Sequence, residues 1–160
     1  MQKVTPFLWF NGQAEEAANF YTSIFKNSRI VSIARYGQEN ARIAGKPAGA
    51  IMTVSFQLEG IDFIALNGGA EFSFSPAISF LVDCASQAEV DELWEKLCDG
   101  GQAMQCGWLT DRFGITWQIV PSGLREMLSD PDPARSQRVM KAMLPMKKLD
   151  IDELRGAYEG

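Results

Sequence analysis

Residues 50–69 read AIMTVSFQLEGIDFIALNGG, and the fold turns on this stretch. Met52, Val54, Phe56 and Leu58 alternate strictly with Ile51, Thr53, Ser55 and Gln57, the period of a half-buried strand. Glu59-Gly60 turns the chain into a second run, Ile61 to Leu66, which ends at Asn67-Gly68-Gly69. The pair predicts an antiparallel hairpin. Asn67 with its glycines reads as a turn device, since these residues accept positive φ.

Working outward, Val4 to Phe10 is a short β-prone run closed by Asn11-Gly12. Gln13 to Phe25 carries Ala17, Phe20, Tyr21, Ile24 and Phe25 at helical spacing, with Glu15 and Glu16 well placed in the first turn. Arg29 to Tyr36 predicts a strand, and Gly37 to Gly49 a mobile, solvent-facing loop. The order then repeats. Ala77 to Val82 predicts a strand, Ser86-Gln87-Ala88-Glu89 a capping box, and Val90, Leu93, Trp94 and Leu97 the buried stripe of a helix stopped at Gly100-Gly101. Short strands follow near Gln102 to Cys106 and Trp108 to Leu109. The turn Asp111 to Gly114 leads into a last strand, Ile115 to Val120, stopped by Pro121. Gln13-Ala14-Glu15 matches Gln87-Ala88-Glu89 at an offset of about 74 residues, so the element order β-α-β-β-β occurs twice.

From Ser122 onward the pattern is helical. Leu124, Met127 and Leu128 form one stripe, and Val139, Met140, Met143 and Leu144 another, with Pro145 as a break and Asp150 as the cap of a final turn bearing Leu154 and Tyr158. The methionines suit a face that packs either on a second subunit or on the chain's own sheet.

Composition excludes several classes. The net charge of -5 among 160 residues disfavours nucleic acid and anionic membrane surfaces as partners. Three cysteines (Cys84, Cys98 and Cys106) without a Cys-x-x-Cys pair speak against a disulfide framework or thiolate zinc site and fit a reducing cytoplasm. No apolar run approaches the roughly 18 residues of a membrane span, and a soluble intracellular protein is expected. Histidine is absent. Ser-His and Cys-His catalytic pairs are thereby ruled out, and no catalytic nucleophile stands out. Asp62 and Asp111 read as solvated carboxylates beside turns, and Cys84 and Cys98 as structural.

The repeat and several motifs resemble the vicinal oxygen chelate superfamily, which includes glyoxalase I, extradiol dioxygenases and bleomycin-resistance proteins. Within it the chain is similar to the PhnB-like, "demethylubiquinone methyltransferase-like" branch. The resemblance is carried by Phe10 to Ala17 with Phe20-Tyr21, by Ala65 to Gly69, by Cys106 to Asp111 and by Phe113 to Pro121. The tail from Arg138 to Ile151 fits as well. It implies an α+β fold: two βαβββ modules forming a curved mixed sheet around a cavity, followed by C-terminal helices, in one domain and usually in a homodimer. The modules would span about residues 1–70 and 71–121, with the tail at 122–160.

Strand alternation tests the chemistry of that cavity. Leu8, Phe10, Ile78, Phe80, Val82, Trp117 and Ile119 should face the helices. The open face then receives Thr5, Phe7 and Trp9, then Thr53, Ser55 and Gln57, then Ile64 and Leu66. Ala77, Ser79, Leu81, Gln118 and Val120 complete it. The resemblance places metal ligands nearest Thr5, Ile64, Ala77 and Gln118, none of them a good divalent-metal ligand. No metal site and no cofactor are therefore expected. The ligand-binding candidates are Thr5, Phe7, Trp9, Ser55, Ser79, Trp108 and Gln118. They would take a small, partly apolar or aromatic molecule, with the rings stacking and the amide and hydroxyls orienting it. The resemblance also keeps open an enzyme of the glyoxalase or dioxygenase type, or a methyltransferase as the branch label suggests. The strand–Gly-rich-loop–helix arrangement of a common adenosylmethionine site is missing, however.

Overall fold

The computed structural model describes residues 2–160. It divides into two compact units, one ending at Ser73 and the other beginning at Phe74. The first unit runs β1 (Phe7–Phe10), α1 (Ala14–Ile24), β2 (Arg29–Arg35), α2 (Gln38–Ala44), β3 (Ile51–Leu58) and β4 (Ile61–Asn67). The second runs β5 (Ser79–Cys84), α3 (Gln87–Cys98), β6 (Gln102–Ala103), β7 (Trp108–Thr110) and β8 (Thr116–Pro121). It ends in α4 (Leu124–Leu128), α5 (Pro133–Met143) and α6 (Ile151–Glu159).

Each unit holds one four-stranded mixed sheet, ordered β1-β4-β3-β2 and β5-β8-β7-β6. In both, the first strand pairs parallel with the last and the other pairs are antiparallel. Identical topology confirms the internal repeat and the α+β class. The hairpin read from residues 50–69 is present in register, with Val54 opposite Ala65, Phe56 opposite Phe63 and Leu58 opposite Ile61.

In the first unit, alternation buries Leu8, Phe10, Val54, Phe56, Phe63 and Ala65 against Ala17 and Tyr21 of α1. Phe56 stacks between Tyr21 and Phe63, with ring centroids at 6.2 and 5.4 Å. Burying each such side chain contributes about 1.5–3 kcal/mol. The start of α1 has no local side-chain cap. Its Ala14 N–H donates instead to Asn67 Oδ1 at 2.8 Å, while Asn67 Nδ2 donates to the Ile51 carbonyl at 3.1 Å and Tyr36 Oη to the Asn67 carbonyl at 2.7 Å. Asn67 is therefore a tie between β4, α1 and β3. It does not have the positive φ that its turn-like neighbours suggested.

Residues 37–49 also depart from expectation. Seven of them form α2, closed by Gly45 in the left-handed conformation at φ 67°. Ala41 is its buried contact, and three glycines and a proline around a short run rich in polar residues hid it from a reading by composition.

In the second unit Glu89 N–H donates to Ser86 Oγ at 3.2 Å, and the Glu89 carboxylate accepts from Ala85 N–H at 3.1 Å, one residue ahead of the usual return bond. Leu109, Trp117 and Ile119 are buried on the α3 side. Ile78 is not among them: it precedes β5 and is 75% exposed. Ala77 likewise lies in an exposed turn. The tail packs on its own unit, as Val120, Leu124, Val139, Met143, Leu149 and Leu154 form one buried cluster. Gln87 at the start of α3 ties the tail down, donating to the Leu149 carbonyl at 3.0 Å and accepting from Ile151 N–H at 2.8 Å, and Lys148 pairs with Asp91 at 2.9 Å. Val120, expected on the open face, is thus covered by the tail.

Candidate functional site

In the first unit the face of the sheet turned away from α1 carries Phe7 and Trp9 of β1, beside Ile64 and Leu66 of β4, with Thr53, Ser55 and Gln57 of β3 beyond. Phe7 is 56% exposed. Trp9 is half-buried and fixed at three points. Its Nε1–H donates to the Gly69 carbonyl at 3.0 Å, Phe72 meets it edge-on at 5.0 Å, and Gly68 lies against the ring so closely that a Cβ there would sit 2.3 Å from it. The pair Gly68-Gly69 thus acts through the close approach of Gly68 and the acceptor carbonyl of Gly69, building a rigid ring platform.

Thr5 lies ahead of β1, yet it joins Ser55 in lining an open hollow of about 280 Å³, together with Val31, Ser32, Asp62 and Ile64. Asp62 is half-buried, and its Oδ1 accepts from Gln57 Nε2 at 2.7 Å. Reading it as a solvated turn residue missed this placement. The signal was present in the alternation, which puts Asp62 on the same face as Ile64 and Leu66.

In the second unit, Gln118 of β8 stands opposite Leu81 on one side and Trp108 on the other. Its Nε2 donates to Ser79 Oγ at 2.9 Å. In the adjacent row Thr116 stands between Ser79 and Thr110. Thr116 is 1% exposed, and its Oγ1 has no hydrogen-bond partner among the described residues. Ser79, Trp108 and Gln118 are therefore brought together in this unit, and Thr5 and Ser55 in the other, where Phe7 and Trp9 share their sheet face.

Asp111 contradicts its reading as a solvated carboxylate. It is 4% exposed, with Oδ1 accepting from the N–H groups of Phe113 and Ile115 at 2.8 and 3.1 Å and Oδ2 from Trp117 Nε1–H at 2.9 Å. It organises the turn into β8 and locks Trp117. Cys84 and Cys98 offer no activated nucleophile. Burial pushes Cys84 up to about 12, with the Glu89 and Asp83 carboxylates adding to it, and burial also raises Cys98.

The positions nearest the inherited ligand set do not fit a divalent metal. Ile64 and Ala77 carry no donor atom, Thr5 is a neutral hydroxyl, and Gln118 offers only one neutral amide oxygen, its Nε2 donating to Ser79. Among the described residues no group of three or more His, Cys, Asp or Glu is placed to hold a metal ion, and no helix is long and apolar enough to cross a membrane.

Two sheets of identical order, each with its helix between the first and second strands, form the glyoxalase-type fold, and the family match and 36% identical relative that follow place the chain in the vicinal oxygen chelate superfamily. Within it, the family model described as 3-demethylubiquinone-9 3-methyltransferase matches residues 2–120, and the chain belongs to that family. The PhnB protein of Bacillus cereus is 36% identical, its whole length covering 76% of this chain at a TM-score of 0.67. A Pseudomonas aeruginosa protein is 20% identical over 76% of this chain and 98% of its own, at a TM-score of 0.60. The fosfomycin resistance protein FosX of Listeria monocytogenes, solved with Mn(II) and sulfate, shares the fold at 17% identity, covering 81% of this chain and 100% of its own at a TM-score of 0.53. No curated protein matches the sequence. The family match ends at Val120, so α4 to α6 lie beyond it.

Proposed function

We propose that this protein binds a small, partly apolar and flat organic molecule on its open sheet faces, without a metal ion or resident cofactor. The observation that carries the reading is the lining of those faces. Trp9 is held rigid by Gly68, Gly69 and Phe72 beside an exposed Phe7, and a Gln118–Ser79 pair adjoins Trp108. A preorganised ring binds a planar ligand at little conformational cost. The amide and hydroxyl supply directional contacts without charge. Metal catalysis of the superfamily's kind finds no suitable donors at the inherited positions, so the fold serves as a binding scaffold here.

Three free thiols support a reducing cytoplasm as the setting. A homodimer is supported by exposed Val31 and Ile33 on the edge strand β2. Elemental analysis of protein purified without chelators tests the metal-free reading directly. Sub-stoichiometric zinc, nickel, iron and manganese are expected, and one equivalent of any of them per chain overturns it.

A further inference from the structure

We propose that the hollow at the Thr5–Asp62 end of the first sheet is a subsite for the protonated amine of a small organic ligand, with Asp62 as its counter-ion. The proposal rests on the small-molecule reading above and assigns the charge at one end of that molecule. Register builds the subsite: Ser32 of β2 stands opposite Ser55 of β3, Ser55 opposite Ile64, and Gln57 opposite Asp62 of β4. Thr5 joins these residues from ahead of β1, and the hollow they line measures about 280 Å³. That is just below the range of whole ligand sites, about 300 to 1,000 Å³, and suits a subsite for one end of a molecule.

The chemistry of the lining selects the occupant. Asp62 Oδ1 accepts from Gln57 Nε2 at 2.7 Å, which leaves Oδ2 without a hydrogen-bond partner among the described residues. Asp62 also takes part in none of the ion pairs among them. Arg29 is one side chain removed, its Nε donating to Gln57 Oε1 at 3.3 Å. Thr5, Ser32 and Ser55 line the same hollow, each with a hydroxyl able to accept. An ammonium group has three donors and one positive charge, which this set of acceptors matches. A carboxylate or phosphate ligand would meet like charge. A divalent cation would find one carboxylate among neutral hydroxyls, fewer anionic ligands than such ions need. Val31 and Ile64 supply an apolar wall for the carbon stem, and the net charge of -5 raises the local concentration of cations.

The test is an amide-resolved NMR titration of the folded full chain at about pH 7 with 2-phenylethylamine, 2-phenylethanol and 3-phenylpropionate. These probes share a ring and differ in the charge of the head. The amine is expected to shift the amides of Ser32, Ser55, Asp62 and Ile64 saturably and to bind at least about 10-fold tighter than the alcohol. Asp62→Asn, isosteric and still able to accept from Gln57, is expected to remove that preference while the spectrum stays dispersed. If that variant does not fold, the wild-type salt dependence decides: amine affinity falls between about 0.05 and 0.5 M NaCl, and alcohol affinity does not. Equal or tighter binding of the alcohol or the acid at these amides overturns the charge assignment and leaves the small-molecule reading standing. An unchanged amine affinity in Asp62→Asn, or an amine affinity indifferent to salt, overturns it equally. No shift at these amides with any probe, alongside a ligand bound near Trp9 or Gln118, overturns the subsite alone. No binding anywhere defeats both.

Discussion

Gly68→Ala tests the idea that backbone holds the Trp9 ring. A Cβ at position 68 would lie 2.3 Å from Trp9 Cε2, 2.4 Å from Cζ2 and 2.6 Å from Cδ2. Carbon atoms settle at about 3.5–4.0 Å, so the ring must retreat by roughly 1 Å or more. Gly68 does not have a positive φ, so the clash is the only cause of any effect. Retreat breaks the 3.0 Å bond from Trp9 Nε1 to the Gly69 carbonyl, worth about 1 kcal/mol, and disturbs the edge contact with Phe72, worth about 0.5–1.5 kcal/mol. The expected loss is about 2 kcal/mol, or roughly 4–8 °C in Tm for a chain of this size. Gly156→Ala is the control. It lies within α6 with nothing inside 4 Å of its Cβ and should stabilise by about 0.5–1 kcal/mol. Thermal melts give the magnitude, and the Trp9 indole N–H resonance gives the cause. A Tm within about 1 °C of wild type, with that resonance unmoved, would refute the claim that the ring is pinned.

Asp111→Ala leaves three donors of a buried cluster without their acceptor and should cost about 3–5 kcal/mol, read from urea melts followed by tryptophan fluorescence. Cys84, with its thiol pushed up to about 12 by burial and its carboxylate neighbours, should resist a thiol reagent at about pH 8 until the chain is unfolded. Native protein should therefore titrate fewer thiols than denatured protein. Acid should loosen the tail. Hydrogen bonds from Lys148 and Gln87 hold Asp91 below the ordinary carboxylate range, and hydrogen bonds from Tyr158 and the Asp132 N–H do the same for Asp130. Folded values below the unfolded ones mean that this stabilisation is full above about pH 4 and is lost as pH falls through the folded values. Hydrogen exchange at Ile151 and Leu154 should quicken first.

Alternation made the sheets legible. Strands β3 and β4 follow from period two because one face of each packs on α1, and the repeat is readable because Gln87-Ala88-Glu89 begins α3 much as Gln13-Ala14-Glu15 begins α1. Alternation also placed Phe7, Trp9 and Ser55 on the open face of the first sheet, and Ser79 and Gln118 on that of the second, before any contact was known. It failed where another element intervenes, as with Val120 beneath the tail and Ile78 ahead of its strand. Residue type misled where side chains work at long range. Asn67 looked like a turn residue but caps α1, and Asp111 looked solvated but gathers three donors. Such roles depend on partners distant in sequence or on local burial, which composition does not reveal.

The central claim is that the open faces bind a ring-stacked organic ligand without a metal. A native mass spectrum of protein taken directly from its own cells tests it most directly. The account predicts a mass in excess of the chain by one small organic molecule that is released on denaturation, with no metal adduct. A folded species carrying one tightly held transition-metal ion per chain would contradict it.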